Sequence, residues 1–181
     1  MASWKQLGRK TIYDTKFLRL YEDTVQLPDG KVFDDYSIVN TNDGVIIVAT
    51  DENGNVLMFD EYKYPIDQDI LVFPAGGVEP GESPLIAAAR ELLEETGYES
   101  SDIELVGQCY DYPSKVQHLD HIVRIKNAKK TSGITHEATE AIGSLQLIPV
   151  SDLNNYWKDG KFKASYMISA LAYAFPEQLA N

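Results

Sequence analysis

Glu82, Glu91, Glu94 and Glu95 share one short stretch, Gly76 to Gly97, whose single cation is Arg90. Ser83-Pro84 reads as a helix start, with Ser as N-cap and Pro at the first helical position, and Gly97 reads as the stop. At about 100° of rotation per residue, Glu91, Glu94 and Glu95 fall within an arc of about 100°. Leu85, Ala89, Leu92 and Thr96 gather on the other side as the expected core face. Like charges at these spacings repel by roughly a few tenths of a kcal/mol per pair, and acids in the last turn oppose the helix dipole. Arg90 reaches Glu94 one turn on and leaves the other acids uncompensated. One reading is a solvated acidic face. The other is a hard-cation site, since clustered carboxylate oxygens suit Mg²⁺ or Mn²⁺ and leave positions open to water and substrate phosphates. Gly76 and Gly77 suit that second reading, because their backbone can approach a metal or phosphate where a Cβ would obstruct.

Strands must hold this helix in place. TIYDTKFLRLYEDTVQL and KVFDDYSIVNT read as strand runs separated by the turn signal Pro28-Asp29-Gly30. VIIVAT and VLMFDEYKY flank a hairpin turn at Asp51 to Gly54, and LVFPAGG leads into the acidic helix. IELVGQCYDY, HLDHIVRIKNA and SLQLIPV follow as strands, then helices from Leu153 to Asp159 and from about Lys163 to Ala174. This order predicts an α/β fold, an α/β/α sandwich with a mixed sheet. A small N-terminal antiparallel β-section occupies residues 1–41, and the main domain spans 42–181.

Composition narrows the partners. The chain carries 16 basic against 28 acidic residues, a net charge of -12, and shows no basic patch. A nucleic-acid surface is therefore excluded, whereas a small nucleotide carrying its own metal ions is compatible. No apolar run approaches the roughly 18 residues of a membrane span, and MASWKQLGRK has no signal-peptide core. The lone Cys109 forms no internal disulfide, which fits a reducing compartment, and a cytoplasmic location is expected.

The set Gly76, Glu82, Arg90-Glu91-Leu92, Glu94-Glu95, Gly97 and Tyr98 resembles the Nudix box, with Tyr98 at the usually aliphatic final position. The resemblance implies a Nudix hydrolase of the same sandwich fold, cleaving a nucleoside diphosphate linked to another group. PDG at 28–30, EYKYP at 61–65 and FPAGGVEPGE at 73–82 resemble the ADP-ribose and nucleotide-sugar branch, whose members dimerise through the N-terminal section. A homodimer is expected on that ground. The branch carries Gln-Tyr-Arg-x-Pro where this chain has EYKYP, so Glu61 and Lys63 replace Gln and Arg. Lys63 supplies charge near the substrate phosphates without a bidentate fork. Pro113, fifteen residues beyond Tyr98, is similar to a proline that marks ADP-ribose specificity, and the Ser-Pro-Gly of many relatives stands here as Tyr112-Pro113-Ser114.

By the same resemblance Glu91 and Glu95 are the expected direct metal ligands, with Glu94 close behind and the carbonyl of Ala75 as a further ligand. Glu82 braces the loop, Arg90 orients Glu94, and Gly76 and Gly77 approach the substrate. The general base is a glutamate on a loop before a late strand. TSGITHEATEAIG offers Glu137 and Glu140, of which Glu140 stands closer to the strand, and Glu94 is a third candidate. His118 and His121, near a strand start, read as surface residues, none of the three histidines including His136 is assigned a metal or base role, and Trp4, Tyr36 and Tyr62 read as ordinary packing. The implied reaction is metal-dependent hydrolysis of ADP-ribose to AMP and ribose 5-phosphate. The alternatives are a GDP- or UDP-sugar substrate, a catalytically idle ligand sensor, and a hydrolase of damaged nucleoside triphosphates. The intact box argues against the sensor, and the N-terminal β-section against the triphosphate enzyme.

Overall fold

The computed structural model describes residues 3–133 and 142–179, so His136, Glu137 and Glu140 lie outside the described residues. In chain order the first strands are β1 (Lys5–Asp14), β2 (Arg19–Gln26), β3 (Val32–Asn40), β4 (Gly44–Asp51) and β5 (Asn55–Lys63). Strands β6 (Gln68–Val72) and β7 (Ala75–Gly77) precede helix α1 (Pro84–Thr96). Then come β8 (Tyr98–Glu99), β9 (Asp102–Cys109), β10 (Val116–Gln117), β11 (Asp120–Lys130) and β12 (Ile142–Pro149), and finally α2 (Leu153–Lys158) and α3 (Ser165–Ala174). The chain divides into two units, one of Met1–Asp43 with Tyr110–Leu119, the other of Gly44–Cys109 with Asp120–Asn181.

The first unit is a sheet in the order β1-β2-β3-β10, with β10 parallel to β3 and the other pairs antiparallel. The expected single strand run from Thr11 to Leu27 is in fact divided by a turn. Thr15 N–H donates to the Leu18 carbonyl at 3.0 Å, and Leu18 N–H donates to Thr15 Oγ1 at 3.2 Å. A threonine hydroxyl closes this turn with neither Gly nor Pro to announce it. Asp23 on β2 is 3 % exposed. Arg9 grips it with two bonds of 2.7 and 2.8 Å, Gln6 adds a third at 2.8 Å, and the guanidinium lies 4.3 Å from the Tyr21 ring centre.

The second unit has the strand order β12-β5-β4-β11-β8, with β6 on β5, β7 on β4 and β9 on β11. Strand β11 runs parallel to β4 and antiparallel to β9, so the sheet is mixed. Val45 to Ala49 is an unbroken apolar run at most 2 % exposed, as a strand covered on both faces requires. On one face α1 contributes Ala87, Ala88 and Leu92 to a core with Val45, Ile47, Val123 and Ile125. On the other, α3 contributes Met167, Ala170 and Leu171 to a core with Ile46, Val48 and Ile122. Helix, sheet and helix form the three layers. Among the described residues no helix is long and apolar enough to cross a membrane.

Strand register brings several ends together. Gly44 opens β4 opposite both Gly77 and Asp120, while Lys63 closes the antiparallel β5 opposite Gln68. Ile142 opens β12 opposite Glu61. Strands β6 and β7 form a bent wedge, reversing direction at Phe73-Pro74 as the chain leaves β5 for β4. The end of β5 and the start of β7's partner therefore lie at one end of the second unit.

The Arg9 guanidinium holds the Asp23 carboxyl below the ordinary carboxylate range, first through its hydrogen bonds and then through its charge. A lowered folded-state value stabilises the protein above the unfolded aspartate value of about 3.9 and ceases to do so as pH falls through the folded value. Asp23→Asn is expected to cost about 1.5–3 kcal/mol at pH 7, the range for hydrogen bonds to charged groups. In thermal melts the gap to the unmodified protein should close progressively below about pH 4.

Candidate active site

Helix α1 starts and stops where its end residues dictate. Ser83 is extended (φ -85°, ψ 152°) and its hydroxyl accepts from Ile86 N–H at 3.3 Å, with Pro84 next. Gly97 takes the left-handed conformation (φ 73°) and donates to the Leu93 carbonyl at 2.9 Å. The buried face is Ala87, Ala88, Leu92, Glu95 and Thr96. Leu85, expected in the core, is 38 % exposed: it shares the angular sector of Leu92 but lies in the first turn, before the helix meets the sheet.

Glu95 is thus a carboxylate on the packed face, 5 % exposed, and Ala75 N–H donates to its Oε2 at 3.2 Å. Glu91, one turn earlier, has a side chain only 13 % exposed. A Cβ built on Gly76 would stand 2.1 Å from its carboxyl carbon and from Oε1. Gly76 is therefore glycine because a glutamate lies flat against its Cα. Glu94 is turned outward, its side chain 49 % exposed.

Arg90 links these groups. Its Nε and Nη2 donate to the two oxygens of Glu82 at 3.1 and 3.0 Å, and Nη1 donates to Glu91 Oε1 at 2.7 Å. Nη2 also donates to the Gly77 carbonyl at 3.1 Å, while the contact with Glu94 is longer, 3.4 Å. The expected Arg90–Glu94 pair is present as the weakest of these contacts. Glu82 in turn accepts from Glu79 N–H at 3.1 Å, and Glu82 N–H donates to the Glu79 carbonyl at 3.0 Å, closing the loop before the helix. The Arg90 guanidinium holds the Glu82 carboxyl below its ordinary range, and Glu82 above all keeps Arg90 protonated. These are charge-assisted, partly bidentate bonds, and they fix geometry as well as charge.

Among the described residues no three His, Cys, Asp or Glu side chains converge into a ready-made cation cage. The donors there are nevertheless all oxygen: two carboxylates one turn apart beside the glycine loop, with the Glu91 carboxylate against Gly76 and open space at Gly77. That chemistry fits a hard divalent cation, which takes few protein ligands and keeps others for water and phosphate.

A NUDIX domain model matches residues 40–168, 129 of the 181 residues. The chain belongs to the Nudix hydrolase family. A second model, the nucleoside diphosphate sugar hydrolase N-terminal domain, matches residues 4–39. The chain is 31 % identical over 118 residues to a Bacillus subtilis protein named ADP-ribose pyrophosphatase, covering 65 % of this chain and 63 % of that protein. It is 27 % identical to a Bacillus methanolicus methanol dehydrogenase activator over 93 % of this chain and 91 % of that protein. A crystal structure of an ADP compounds hydrolase superposes with a TM-score of 0.82 at 23 % identity, covering 93 % and 90 % of the two chains. That likeness establishes the Nudix fold.

Other sequence candidates lie apart from α1. Lys63 ends β5 with its ammonium 2.7 Å from Glu61 Oε1, a pair that the i, i+2 spacing on one strand face allows and that sequence reading missed. Pro113 belongs to the first unit, where it lines a cavity of about 340 Å³ with Tyr36, Ile38, Tyr110 and Lys115. Tyr36 donates to the Ser114 carbonyl at 2.7 Å and carries the Lys115 ammonium 4.1 Å from its ring centre. Trp4 meets the same ring edge-on at 5.5 Å, yet is 51 % exposed. His121, read as a surface residue, is 9 % exposed, with Nδ1 3.0 Å from Gln108 Nε2. It sits between two strands, opposite Val45 of β4 and Gln108 of β9. His118 Nδ1 lies 2.6 Å from the Asn42 carbonyl oxygen.

Gly76→Ala tests the close approach. Only the flexible end of Glu91 needs to move, so the melting temperature is expected to shift by no more than about 3 °C. Displacing that carboxylate by about 1 Å should lower turnover of a nucleoside diphosphate substrate at least about tenfold. Melting curves and steady-state rates on the purified variant separate the two effects.

Proposed function

We propose that this chain hydrolyses the diphosphate bond of a nucleoside diphosphate linked to another moiety, with ADP-ribose the first substrate to test. The observation that carries this reading is the pair Glu91 and Glu95, held beside Gly76 by Arg90 and Ala75 N–H. Glu91 and Glu95 would hold the cation, Mg²⁺ or Mn²⁺, with the Ala75 carbonyl and Glu94 as its further contacts. When bound, such a cation neutralises diphosphate charge and makes water a better nucleophile.

The chain's own groups supply the rest. Arg90 spends its donors on Glu82, Glu91 and the Gly77 carbonyl, so its role is to position carboxylates. Gly76 admits the Glu91 carboxylate, Gly77 leaves room for the diphosphate, and Lys63 offers it an ammonium. Glu140 takes the proton from the attacking water, with Glu137 and Glu94 as the alternatives. One P–O bond forms to water oxygen while the bridging P–O bond breaks, giving AMP and ribose 5-phosphate from ADP-ribose. Residues 1–41 are proposed as the dimerising β-section and residues 42–181 as the hydrolase domain of a cytoplasmic homodimer, with Pro113 contacting substrate. The relatives named for ADP-ribose and ADP-sugar support the substrate class, the latter a mouse protein 33 % identical over 128 residues.

Incubation with ADP-ribose, GDP-mannose, ADP-glucose, a dinucleoside polyphosphate and 8-oxo-dGTP, each with Mg²⁺ and with EDTA, decides among substrates. Metal-dependent release of AMP, fastest from ADP-ribose, is the expected outcome; faster turnover of another compound moves the specificity elsewhere. Glu95→Gln should retain the fold and lose turnover. Glu140→Gln should lower it at least about a hundredfold, and a change under about threefold would transfer the base role to Glu137 or Glu94.

A further inference from the structure

The pair Glu61 and Lys63 has a consequence for affinity. Both side chains lie on one face of β5 at the end of the second unit where Gly76 meets Glu91. Arg90 has committed four of its five donors to Glu82, Glu91 and the Gly77 carbonyl, and the fifth faces Glu94 at 3.4 Å. The Lys63 side chain is 35 % exposed and that of Glu61 21 %, with the ammonium 2.7 Å from Glu61 Oε1. The pair is half-buried, and its partly exposed ammonium is within reach of an incoming anion. An anion drawn to Lys63 therefore meets a carboxylate already there, and that carboxylate repels it.

We propose that Glu61 competes with the substrate diphosphate for Lys63 and so weakens binding of the whole class of diphosphate ligands at this site. The inference rests on the reading that a nucleoside diphosphate binds at this end of the unit. In the free protein Glu61 draws the ammonium back along the strand. On binding, Lys63 exchanges a carboxylate for phosphate oxygens, while Glu61 stays charged beside them.

Titration calorimetry with ADP-ribose, with Ca²⁺ replacing Mg²⁺ to suppress turnover, tests this on four proteins: unmodified, Glu61→Gln, Lys63→Gln and the double variant. Glu61→Gln is expected to bind about three- to tenfold tighter at low salt, with the gain shrinking as the salt concentration rises. In the Lys63→Gln background the same change should matter less than about twofold. Unchanged or weaker binding by Glu61→Gln overturns the proposal, as does an equal gain in both backgrounds, which would be general repulsion. If Lys63→Gln alone binds as the unmodified protein does, Lys63 does not meet the diphosphate and the proposal falls with that placement. If the unmodified protein fails to bind ADP-ribose, the substrate assignment falls, and inorganic pyrophosphate in the same four titrations decides the role of Glu61.

Discussion

A single guanidinium organises the candidate active site. Arg90 joins the loop before α1, through Glu82 and the Gly77 carbonyl, to the helix itself, through Glu91. The acidic helix would otherwise repel itself along one side. With Arg90 in place, that repulsion becomes a fixed geometry in which carboxylates stand ready at set positions. Lysine could match the charge and could not match the fork, because three separate acceptors are met by one rigid plane of donors.

The fold supplies what Arg90 cannot. Small residues Ala87 and Ala88 seat α1 closely on β4 and β11, and this seating turns Glu95 toward the sheet, where the Ala75 N–H meets it. Gly76 removes the one Cβ that would push Glu91 away. The reversal at Phe73-Pro74 lets β6 follow β5 and β7 follow β4, so Lys63 ends at the same end of the unit as the glycine loop. Local backbone chemistry and long-range strand pairing thus act on the same few residues.

Much of this was legible in the sequence because its causes are local. Ser83, Pro84 and Gly97 bound α1 as their backbone preferences require, and the apolar run of β4 reveals a strand buried on both faces. What was illegible depends on contacts between distant residues. Arg90 was expected to turn toward Glu94, one helical turn away, but its shorter bonds reach Glu82 and the adjacent Glu91, a choice made by the loop's path. Leu85 fits the apolar arc by angle and is exposed by its axial position. The Thr15 turn rests on one hydroxyl, and the Glu61–Lys63 pair on alternation along a strand. Residues Tyr110–Leu119 group with the N-terminal strands through the pairing of β10 with β3, which no local pattern announces.

In the proposed function Arg90 positions the carboxylates that would hold the cation. Mn²⁺ titration followed by electron paramagnetic resonance, comparing the unmodified protein with Arg90→Lys, tests it most directly. Loss of the fork should weaken Mn²⁺ binding at least about tenfold, the scale of defects in groups that orient metal ligands, while the melting curve stays cooperative. Equal Mn²⁺ affinity in the two proteins would contradict the account and reduce Arg90 to a surface ion pair.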